Sequence, residues 1–365
     1  MADWKNSGLL GREKKIYEGL LEKKYVDSVI WFTYGALDSR LSKKLYYSGE
    51  LYNKIRIVPM PALFRGKIGE IIYSFLAPFI HRKIITQCDV IKSNQLSGAW
   101  TAWLAAFVFR KKFFFRTGYT YSELAKAKHD HRLIKNILFY WIEKFLYHYS
   151  TVSSVSSYHS LNYVRQVHSA KNTIYLPNFI DTDHFIPKSS KKIKNAIVFV
   201  GRLHKEKNLS SFILAMQNTQ YQLHIYGSGK EEKYLKYIAE QKNIPVFFHG
   251  SVSNEELPDI LSRYRYFILP STFEGMPKAL LEAMACGCTC LGADVPGINE
   301  VIINKSTGIL AQKADIKNFH LMLLQLENID CMSLSQKGIQ YVQEVYSLSS
   351  LIEKEANILN SLLNK

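Results

Sequence analysis

The sequence has few cysteines, no long apolar run and fewer acidic than basic residues. Its five cysteines among 365 residues are an odd, sparse set, which does not predict a disulfide framework. No apolar run approaches the roughly 20 residues of a membrane-spanning helix. The first residues, MADWKNSGLLGREKK, lack the apolar core of a secretion signal. We therefore expect a cytoplasmic protein.

Three of the cysteines stand close together, but they have no second cluster to complete a zinc site. Cys286, Cys288 and Cys290 alternate with other residues, whereas zinc sites usually need a second ligand pair. We therefore predict no metal site and interpret the three as small buried residues where a helix meets a strand.

What the sequence does have is an excess of positive charge, most of it in the first half. The net charge is +16, and residues 1–187 carry 27 Lys+Arg against 14 Asp+Glu, or +13 of that total. A basic half attracts nucleic acid, anionic lipid or a phosphorylated substrate, and the charge alone does not choose among them. The interleaved aromatic and basic modules of nucleic-acid binding are not apparent, so we expect no nucleic acid partner.

Apolar runs and charged, helix-period segments alternate along the second half of the chain. The runs at Ala196–Val200, Leu223–Tyr226 and Phe267–Leu269 predict buried strands, with helices between them such as Lys278–Ala285. The first half repeats the pattern less clearly. Strand–helix alternation predicts an α/β protein with parallel sheets covered on both faces.

The polar, basic stretch PKSSKKIK between Pro187 and Lys194 is typical of a linker. We therefore expect two Rossmann-like, doubly wound domains facing across a cleft: an acceptor-side domain over residues 1–187 and a donor domain over residues 195–345. Residues 346–365 have helical periodicity and are predicted to cross back to the first domain. Ligands of such sheets bind outside the carboxyl ends of the strands.

Two cations follow the first strand of the second domain, in VFVGRLHKEKN. Arg202 and Lys207 suit a diphosphate, because a guanidinium binds two oxygens and an ammonium adds a point charge. Taken alone, Arg202 and Lys207 are better interpreted as two solvated surface cations.

Later strand ends carry Gly-rich turns. Gly227 lies in a Gly-Ser-Gly turn that would let a ligand approach the backbone, and Ser251 and Val252 follow the next strand. Either segment taken alone could be an ordinary turn.

The most informative segment is RYFILPSTFEGMPKALLEAMACGCTCLGAD, from Arg265 to Asp294. It predicts a strand, a loop with Glu274 and Gly275, and a helix with Pro277 in its first turn. The backbone N–H groups from Met276 through Lys278 to Ala279 would form an anion site at the helix start. In isolation, Glu274 would be a solvated acid of the loop and Glu282 an ordinary helix acid.

This segment closely resembles the donor-site signature of the retaining glycosyltransferases of family four, the glycosyl transferases group 1, which have the GT-B fold. Glu274 and Glu282 match the family's two glutamates, and GRLHKEKN, IYGSG and FFHGSVSNEEL resemble its other donor-side segments in order and spacing. TVSS and LPNFIDTDHF resemble the segments that close the first domain.

The resemblance implies a nucleotide-diphosphate sugar as donor and a transfer that retains the anomeric configuration, without a cofactor or metal. Arg202 and Lys207 would stabilise the leaving diphosphate. Glu274 would position the sugar, Glu282 would hold the ribose, and the backbone near Ser251 would meet the base.

The first half departs from the family pattern. Gly8 is the candidate for the Gly-rich loop, with only MADWK before Asn6, so the first strand is predicted to be missing or very short. Thr117 stands where many members carry a His, and it is a candidate to face the acceptor.

The acceptor is predicted to be a glycan or a lipid-linked molecule of polysaccharide or lipopolysaccharide synthesis. Residues 66–84 form an apolar helical segment with basic ends, and Arg110, Lys111 and Lys112 follow. Such a helix packs in the core or docks on an anionic membrane at the inner face. We favour the core position.

Three other functions fit parts of the sequence. A sugar-nucleotide epimerase or phosphorylase would share the fold, a nucleic-acid-binding protein would share the basic charge, and a non-catalytic scaffold would share the unusual N-terminus. The donor-side and closing segments, which match in order and register, favour the transferase.

Overall fold

A computed structural model describes residues 9–35, 54–118, 120–127, 133–188 and 191–364. The chain divides into two compact units. The N-terminal unit comprises residues 1–156, 160–176 and 348–365, and the C-terminal unit comprises residues 157–159 and 177–347. The division therefore runs beside Leu176, and the stretch that the sequence marks as a linker groups with the C-terminal unit. The last helix groups with the N-terminal unit.

The described part of the N-terminal unit alternates helices and strands in chain order. These are α1 (Leu9–Glu22), β1 (Val29–Thr33), β2 (Ile55–Pro59), α2 (Lys67–Ile80), α3 (Arg82–Ile85), β3 (Val90–Ser93), α4 (Ala99–Val108), β4 (Lys112–Arg116), α5 (Tyr121–Ala127), α6 (Leu133–Tyr149), β5 (Val152–Val155), α7 (Tyr158–Val167) and β6 (Thr173–Tyr175).

The C-terminal unit continues the alternation, and the chain then ends in a helix of the first unit. The elements are β7 (Ala196–Val200), α8 (Leu209–Ala215), β8 (Gln222–Tyr226), α9 (Glu232–Gln241), β9 (Val246–Gly250), α10 (Leu257–Leu261), β10 (Tyr266–Leu269), α11 (Lys278–Ala285), β11 (Thr289–Ala293), β12 (Gly308–Ala311), α12 (Ile316–Gln325), α13 (Cys331–Tyr346) and α14 (Leu348–Leu363). The strands named in the sequence analysis are confirmed to within one residue at each end.

The C-terminal unit is built on a six-stranded sheet with the order β12-β11-β10-β7-β8-β9, and its ladders are parallel. This is the strand order of a doubly wound, dinucleotide-binding sheet. The central strands are fully buried, with Ile197, Phe199 and Phe267 all 0% exposed, because helices cover both faces. The doubly wound α/β prediction is confirmed for this unit.

The described strands of the N-terminal unit form two parallel ladders, β1-β2 and β3-β4-β5-β6. Phe113 and Phe115 of β4 pack with Leu146 of α6 and Val164 of α7 in its main core cluster. Helix α14 adds a buried ionic contact, since Glu355 is 0% exposed and pairs with Lys92 and Arg116 at the ends of β3 and β4.

The apolar helix predicted over residues 66–84 differs from expectation in two ways. It ends at Ile80, two residues after Pro78, and α3 follows; a proline inside a helix lacks the N–H for an i→i−4 bond and strains the preceding turn. Its burial is also one-sided: Tyr73 and Ala77 face the core, whereas Ile68 and Phe75 are 77% and 54% exposed. Core packing therefore explains only a minority of its apolar residues.

The cysteine cluster is confirmed as small buried residues at a helix–strand junction. Cys286 and Cys288 lie between α11 and β11, and Cys290 lies in β11; all three are free thiols and are at most 1% exposed. Burial raises the pKa of each thiol, so they are protonated at neutral pH.

Among the described helices, none combines the length and apolar character needed to cross a bilayer.

Candidate active site

Strands β7 and β10 lie side by side at the centre of the C-terminal sheet, where the strand order reverses direction. Their connections leave in opposite directions, so a crevice opens at their carboxyl ends, and doubly wound proteins bind ligands there. The loop after β7 carries Arg202 and Lys207, and the loop after β10 carries Glu274. The strand order thus places the residues predicted to bind the diphosphate and the sugar in adjacent loops.

Lys207 and Glu274 meet directly across this crevice. The Lys207 ammonium donates to Glu274 Oε1, and both side chains are largely shielded, at 18% and 13% exposure. The hydroxyl of Ser271, a residue with 0% exposure, also donates to Glu274 Oε1 at 2.6 Å. The carboxylate is therefore held by two donors on one oxygen, which fixes its direction.

The loop that carries Lys207 is anchored to the segments that follow β10 and β12. A 3-10 turn over Lys205–Lys207 ends at Asn208 in the left-handed conformation, φ 53°, which Asn tolerates well. The Asn208 amide donates to the backbone carbonyls of Pro270 and Ala314, at 3.2 and 2.9 Å. The backbone N–H of Thr272 donates to Glu206 O at 3.0 Å. Asn208 and Ser271 were not among the predicted site residues.

The turns after β7, β8 and β9 form a continuous rim beside this pair. A Cβ at Gly227, where φ is 150°, would lie 1.9 Å from Gly201 O, so the two backbones touch. Leu203 N–H donates to Ser228 O at 2.9 Å. The Ser228 and Ser251 hydroxyls are hydrogen-bonded at 3.0 Å. Residue 227 must therefore be glycine for two reasons: a Cβ atom would collide with Gly201 O, and the positive φ disfavours residues with a side chain.

The start of helix α11 lies in the same loop as Glu274. Pro277 occupies the N-cap position of α11 and makes no side-chain cap hydrogen bond. The loop ahead of the helix is held by Gly297 (φ 81°), whose Cβ position lies 2.2 Å from Glu274 O. The Glu274 N–H also donates to Pro296 O at 3.3 Å. In the sequence, the Pro296-Gly297 pair of ADVPG indicates this turn, because Pro-Gly is typical of turns.

The other predicted residues have different settings. Arg202 and Ser251 are exposed, Gly275, Lys278, Ala279, Val252 and Glu282 are partly exposed, and Met276 is buried. Thr117, in the N-terminal unit, is 2% exposed, and its hydroxyl lies 3.1 Å from the Tyr147 hydroxyl, so this side chain is directed into the interior. Gly8 lies outside the described residues.

Across the described ranges, no group of three or more His, Cys, Asp or Glu side chains is arranged to hold a metal ion. The Glu274 carboxylate is instead engaged with Lys207 and Ser271.

Comparison with known proteins agrees with this arrangement. Residues 181–344 match the family described as "Glycosyl transferases group 1". This range lies within the C-terminal unit and contains Arg202, Lys207, Glu274 and Glu282. The similarity to this family therefore falls on the C-terminal unit and on its donor-side residues.

Two curated relatives show how far the similarity extends. The Escherichia coli UDP-Gal:alpha-D-GlcNAc-diphosphoundecaprenol alpha-1,3-galactosyltransferase is 29% identical over 182 residues, covering 45% of this chain and 47% of the relative. The Corynebacterium glutamicum GDP-mannose-dependent alpha-mannosyltransferase is 30% identical over 154 residues, covering 42% and 34%. The chain thus spans about half or less of the length of these relatives.

Solved structures share the fold over nearly the whole chain. The Anabaena protein HepE in complex with UDP superposes with a TM-score of 0.72 at 14% identity, covering 92% of this chain and 100% of that one. Sucrose-phosphate synthase from Thermosynechococcus elongatus gives a TM-score of 0.70 at 20% identity, covering 87% and 82%. The GT-B fold predicted from the sequence is confirmed.

Proposed function

We propose that this protein is a retaining glycosyltransferase that moves a sugar from a nucleotide-diphosphate sugar to a glycan or lipid-linked acceptor. The observation that carries the proposal is the Lys207–Glu274 pair at the point where the strand order reverses. A cation and an oriented carboxylate side by side match the two halves of such a donor, because a diphosphate needs positive charge and a sugar needs a hydrogen-bond acceptor.

In this proposal, Arg202 and Lys207 bind the diphosphate, and the N-terminus of α11 contributes its dipole. The negative charge on the diphosphate grows as the glycosidic bond breaks, so fixed cations bind the transition state more tightly than the ground state. These groups are therefore expected to lower the barrier as well as to hold the donor.

Glu274 has one carboxylate oxygen, Oε1, engaged by Lys207 and Ser271. Its second oxygen would accept a hydrogen bond from a donor-sugar hydroxyl. Glu282, eight residues further on, would take the ribose hydroxyls, and the turn around Ser251 and Val252 would meet the base. The nucleotide sugar is a substrate here, and the proposal invokes no resident cofactor or metal.

Support for the acceptor comes from the names of the relatives. The E. coli relative is named for a diphosphoundecaprenol-linked acceptor and a UDP-sugar donor, and the Corynebacterium relative for a GDP-sugar donor. A role in building polysaccharide or lipopolysaccharide on a lipid carrier would fit the first of these. The test of retention is the anomeric configuration of the product by NMR.

A panel of UDP- and GDP-sugars, assayed for binding and slow hydrolysis, tests the proposal. Arg202→Ala should lower nucleoside-diphosphate affinity about tenfold to a hundredfold, because a charge-assisted contact is lost, and should leave nucleoside-monophosphate affinity nearly unchanged. Lys242→Ala, an exposed cation at the end of α9, is the matched control. Absence of any nucleotide-sugar binding would contradict the assignment, and turnover that requires inorganic phosphate would favour a phosphorylase.

A further inference from the structure

Three neighbouring helices of the N-terminal unit expose a connected apolar surface. Helices α2, α4 and α6 contribute large side chains that stay in solvent, including Phe75, Phe107 (69% exposed) and Trp141 (59% exposed). Phe75 stacks on Trp100 of α4 at 5.5 Å between ring centroids, and Trp103 meets Phe145 of α6 edge-on at 4.6 Å. We call this surface, formed by the exposed sides of α2, α4 and α6, the aromatic face.

A pocket of about 360 Å³ opens in the middle of the aromatic face. Its walls are Phe75 from α2, Trp100 and Trp103 from α4, and Trp141 and Phe145 from α6, and no charged side chain lines it. A pocket with apolar walls suits a hydrocarbon chain, because it offers dispersion contacts and no partner for a polar group.

The charges around the aromatic face are mostly of one sign. Between Arg65 and Lys144 the sequence has 14 Lys+Arg against 5 Asp+Glu. Two of the carboxylates, Glu123 and Glu143, are buried, and two of the cations, Lys92 and Arg116, are largely buried against Glu355, so 12 cations and 3 carboxylates of this stretch remain. The Lys144 ammonium lies 5.1 Å from the centre of the Trp141 ring, so positive charge reaches the edge of the apolar area.

We infer that the aromatic face docks on the surface of an anionic phospholipid bilayer, with one lipid hydrocarbon chain entering the pocket. Apolar patches of this extent on a protein surface mark interaction sites, and Trp combines an apolar ring with an N–H suited to the membrane interface. The basic border complements anionic headgroups. A second copy fits poorly, because face-to-face pairing would bring the basic borders together.

Vesicle sedimentation tests docking directly. The full chain should pellet with vesicles of phosphatidylcholine mixed with phosphatidylglycerol and should bind phosphatidylcholine vesicles at least about tenfold more weakly, with high salt reducing the difference. Failure to bind the anionic vesicles at low salt would overturn the inference.

Paired surface variants distinguish docking through the aromatic face from non-specific binding through any exposed apolar side chain. Ile137→Ser with Trp141→Ser, both on α6 and exposed by 55% and 59%, should reduce vesicle binding at least about tenfold. Leu324→Ser with Met332→Ser, exposed by 53% and 72% in the C-terminal unit, should leave binding unchanged. Equal loss in both pairs, or in neither, would overturn the inference. Unchanged melting temperatures would show that each pair is folded.

Tryptophan quenching by phospholipids with brominated acyl chains tests the pocket. Quenching should be strong in the wild type and reduced in Trp141→Phe, because Trp141 forms part of the pocket wall. Wild-type fluorescence that brominated lipid does not quench would overturn the pocket part of the inference. Dimers in sedimentation velocity that the α6 pair dissociates, with no vesicle binding, would identify a self-association surface instead.

Docking and donor chemistry lie on different units, so their failures can be told apart. The α6 pair should leave hydrolysis of a soluble nucleotide sugar unchanged while it abolishes vesicle binding. If Arg202→Ala abolishes hydrolysis and leaves vesicle binding intact, the result supports the donor site and shows that docking does not depend on it.

Discussion

Lys207 and Glu274 are 67 residues apart in sequence, yet their side chains form an ion pair beside the carboxyl ends of the two central strands. The reversal in strand order brings them together, since β7 and β10 are neighbours in the sheet although β8 and β9 lie between them along the chain. Ser271 adds a third member at 2.6 Å from the carboxylate. The pair is therefore a product of the sheet topology and not of any local sequence motif.

A double-mutant cycle on this pair should reveal strong coupling. Lys207→Ala and Glu274→Ala are each expected to lower kcat/KM for transfer by about 100- to 1000-fold, because each removes a contact to the donor and releases its partner. The double variant should be little worse than the less active single variant, which corresponds to a coupling of about 3–4 kcal/mol at about 1.4 kcal/mol per tenfold change in rate. Steady-state kinetics with a saturating acceptor give the four values.

The control for that cycle is the pair Lys236–Glu232, an exposed i,i+4 contact at 2.7 Å on α9. Alanine at either position should leave kcat/KM within about twofold, since exposed pairs contribute about 0–1 kcal/mol. Additive losses for Lys207 and Glu274, with no coupling, would mean that the two residues act independently of each other.

Two glycines of the donor rim should respond very differently to alanine. At Gly227 the new Cβ would lie 1.9 Å from Gly201 O with φ at 150°, so the β7 and β8 turns must separate. At Gly250 φ is 73°, but no atom lies within 4 Å of the Cβ position. We expect Gly250→Ala to cost about 1–2 kcal/mol of unfolding free energy from backbone strain.

Gly227→Ala should cost more than Gly250→Ala and should also weaken nucleotide binding, because Arg202 follows Gly201 directly. Chemical denaturation measures the first effect and calorimetric titration of a nucleoside diphosphate the second. Equal effects of the two substitutions on both quantities would show that backbone contact at the rim is unimportant.

The donor-side residues were largely predictable from the sequence because each of them follows a strand that the sequence itself reveals. Arg202, Lys207 and Glu274 each follow a buried strand, and the ends of parallel strands share one edge of a sheet. Asn208 and Ser271 could not be predicted, because their roles depend on which strands become neighbours. Strand β12 was also missed: its four residues, GILA, include glycine and alanine and give a weak strand signal.

The N-terminal half was less predictable because apolar periodicity cannot distinguish a core helix from a helix with a second apolar surface. Helix α2 has the periodicity of either, and the structure shows Tyr73 in the core and Ile68 in solvent. Thr117 illustrates the same limit, since position in a family pattern did not reveal that its hydroxyl bonds to Tyr147 inside the unit.

The last helix should depend strongly on one buried carboxylate. Glu355 of α14 is paired with Lys92, and its Oε2 lies 3.7 Å from Arg116 Nη1. Burial lowers the pKa of Lys92, but the Glu355 carboxylate and the Tyr17 hydroxyl together more than offset this, and the net shift is upward. Glu355→Gln would leave two buried cations without a counter-charge, and we expect a loss of about 3–5 kcal/mol in urea denaturation.

Glu353→Gln on the same helix is the matched control. Glu353 pairs with Lys23 at 3.3 Å, but its side chain is 60% exposed, so its loss should cost under about 1 kcal/mol. Similar costs for the two variants would contradict an anchoring role for Glu355. A further check is Glu355→Leu with Lys92→Met, which should recover part of the lost stability, because only Arg116 would then lack a counter-charge.

Acid should destabilise the C-terminal unit through a histidine pair on the sheet. His224 Nδ1 lies 3.0 Å from His249 Nε2, and Tyr264 also contacts the His224 ring. Burial, with a smaller contribution from His249, lowers the pKa of His224 from 6.5 to about 4. The unfolded chain therefore binds a proton first as the pH falls, so His224 contributes full stability above pH 6.5 and loses it progressively towards pH 4.

Because His224 is only partly buried, we expect this contribution to be on the order of 1–2 kcal/mol after allowing for solvent screening. His224→Phe should flatten the pH dependence of the unfolding free energy over that interval, since Phe can keep the stacking on Phe247, whose ring centroid is 4.8 Å away. Urea denaturation at a series of pH values measures it. A slope as steep in His224→Phe as in the wild type would place the acid sensitivity on other groups.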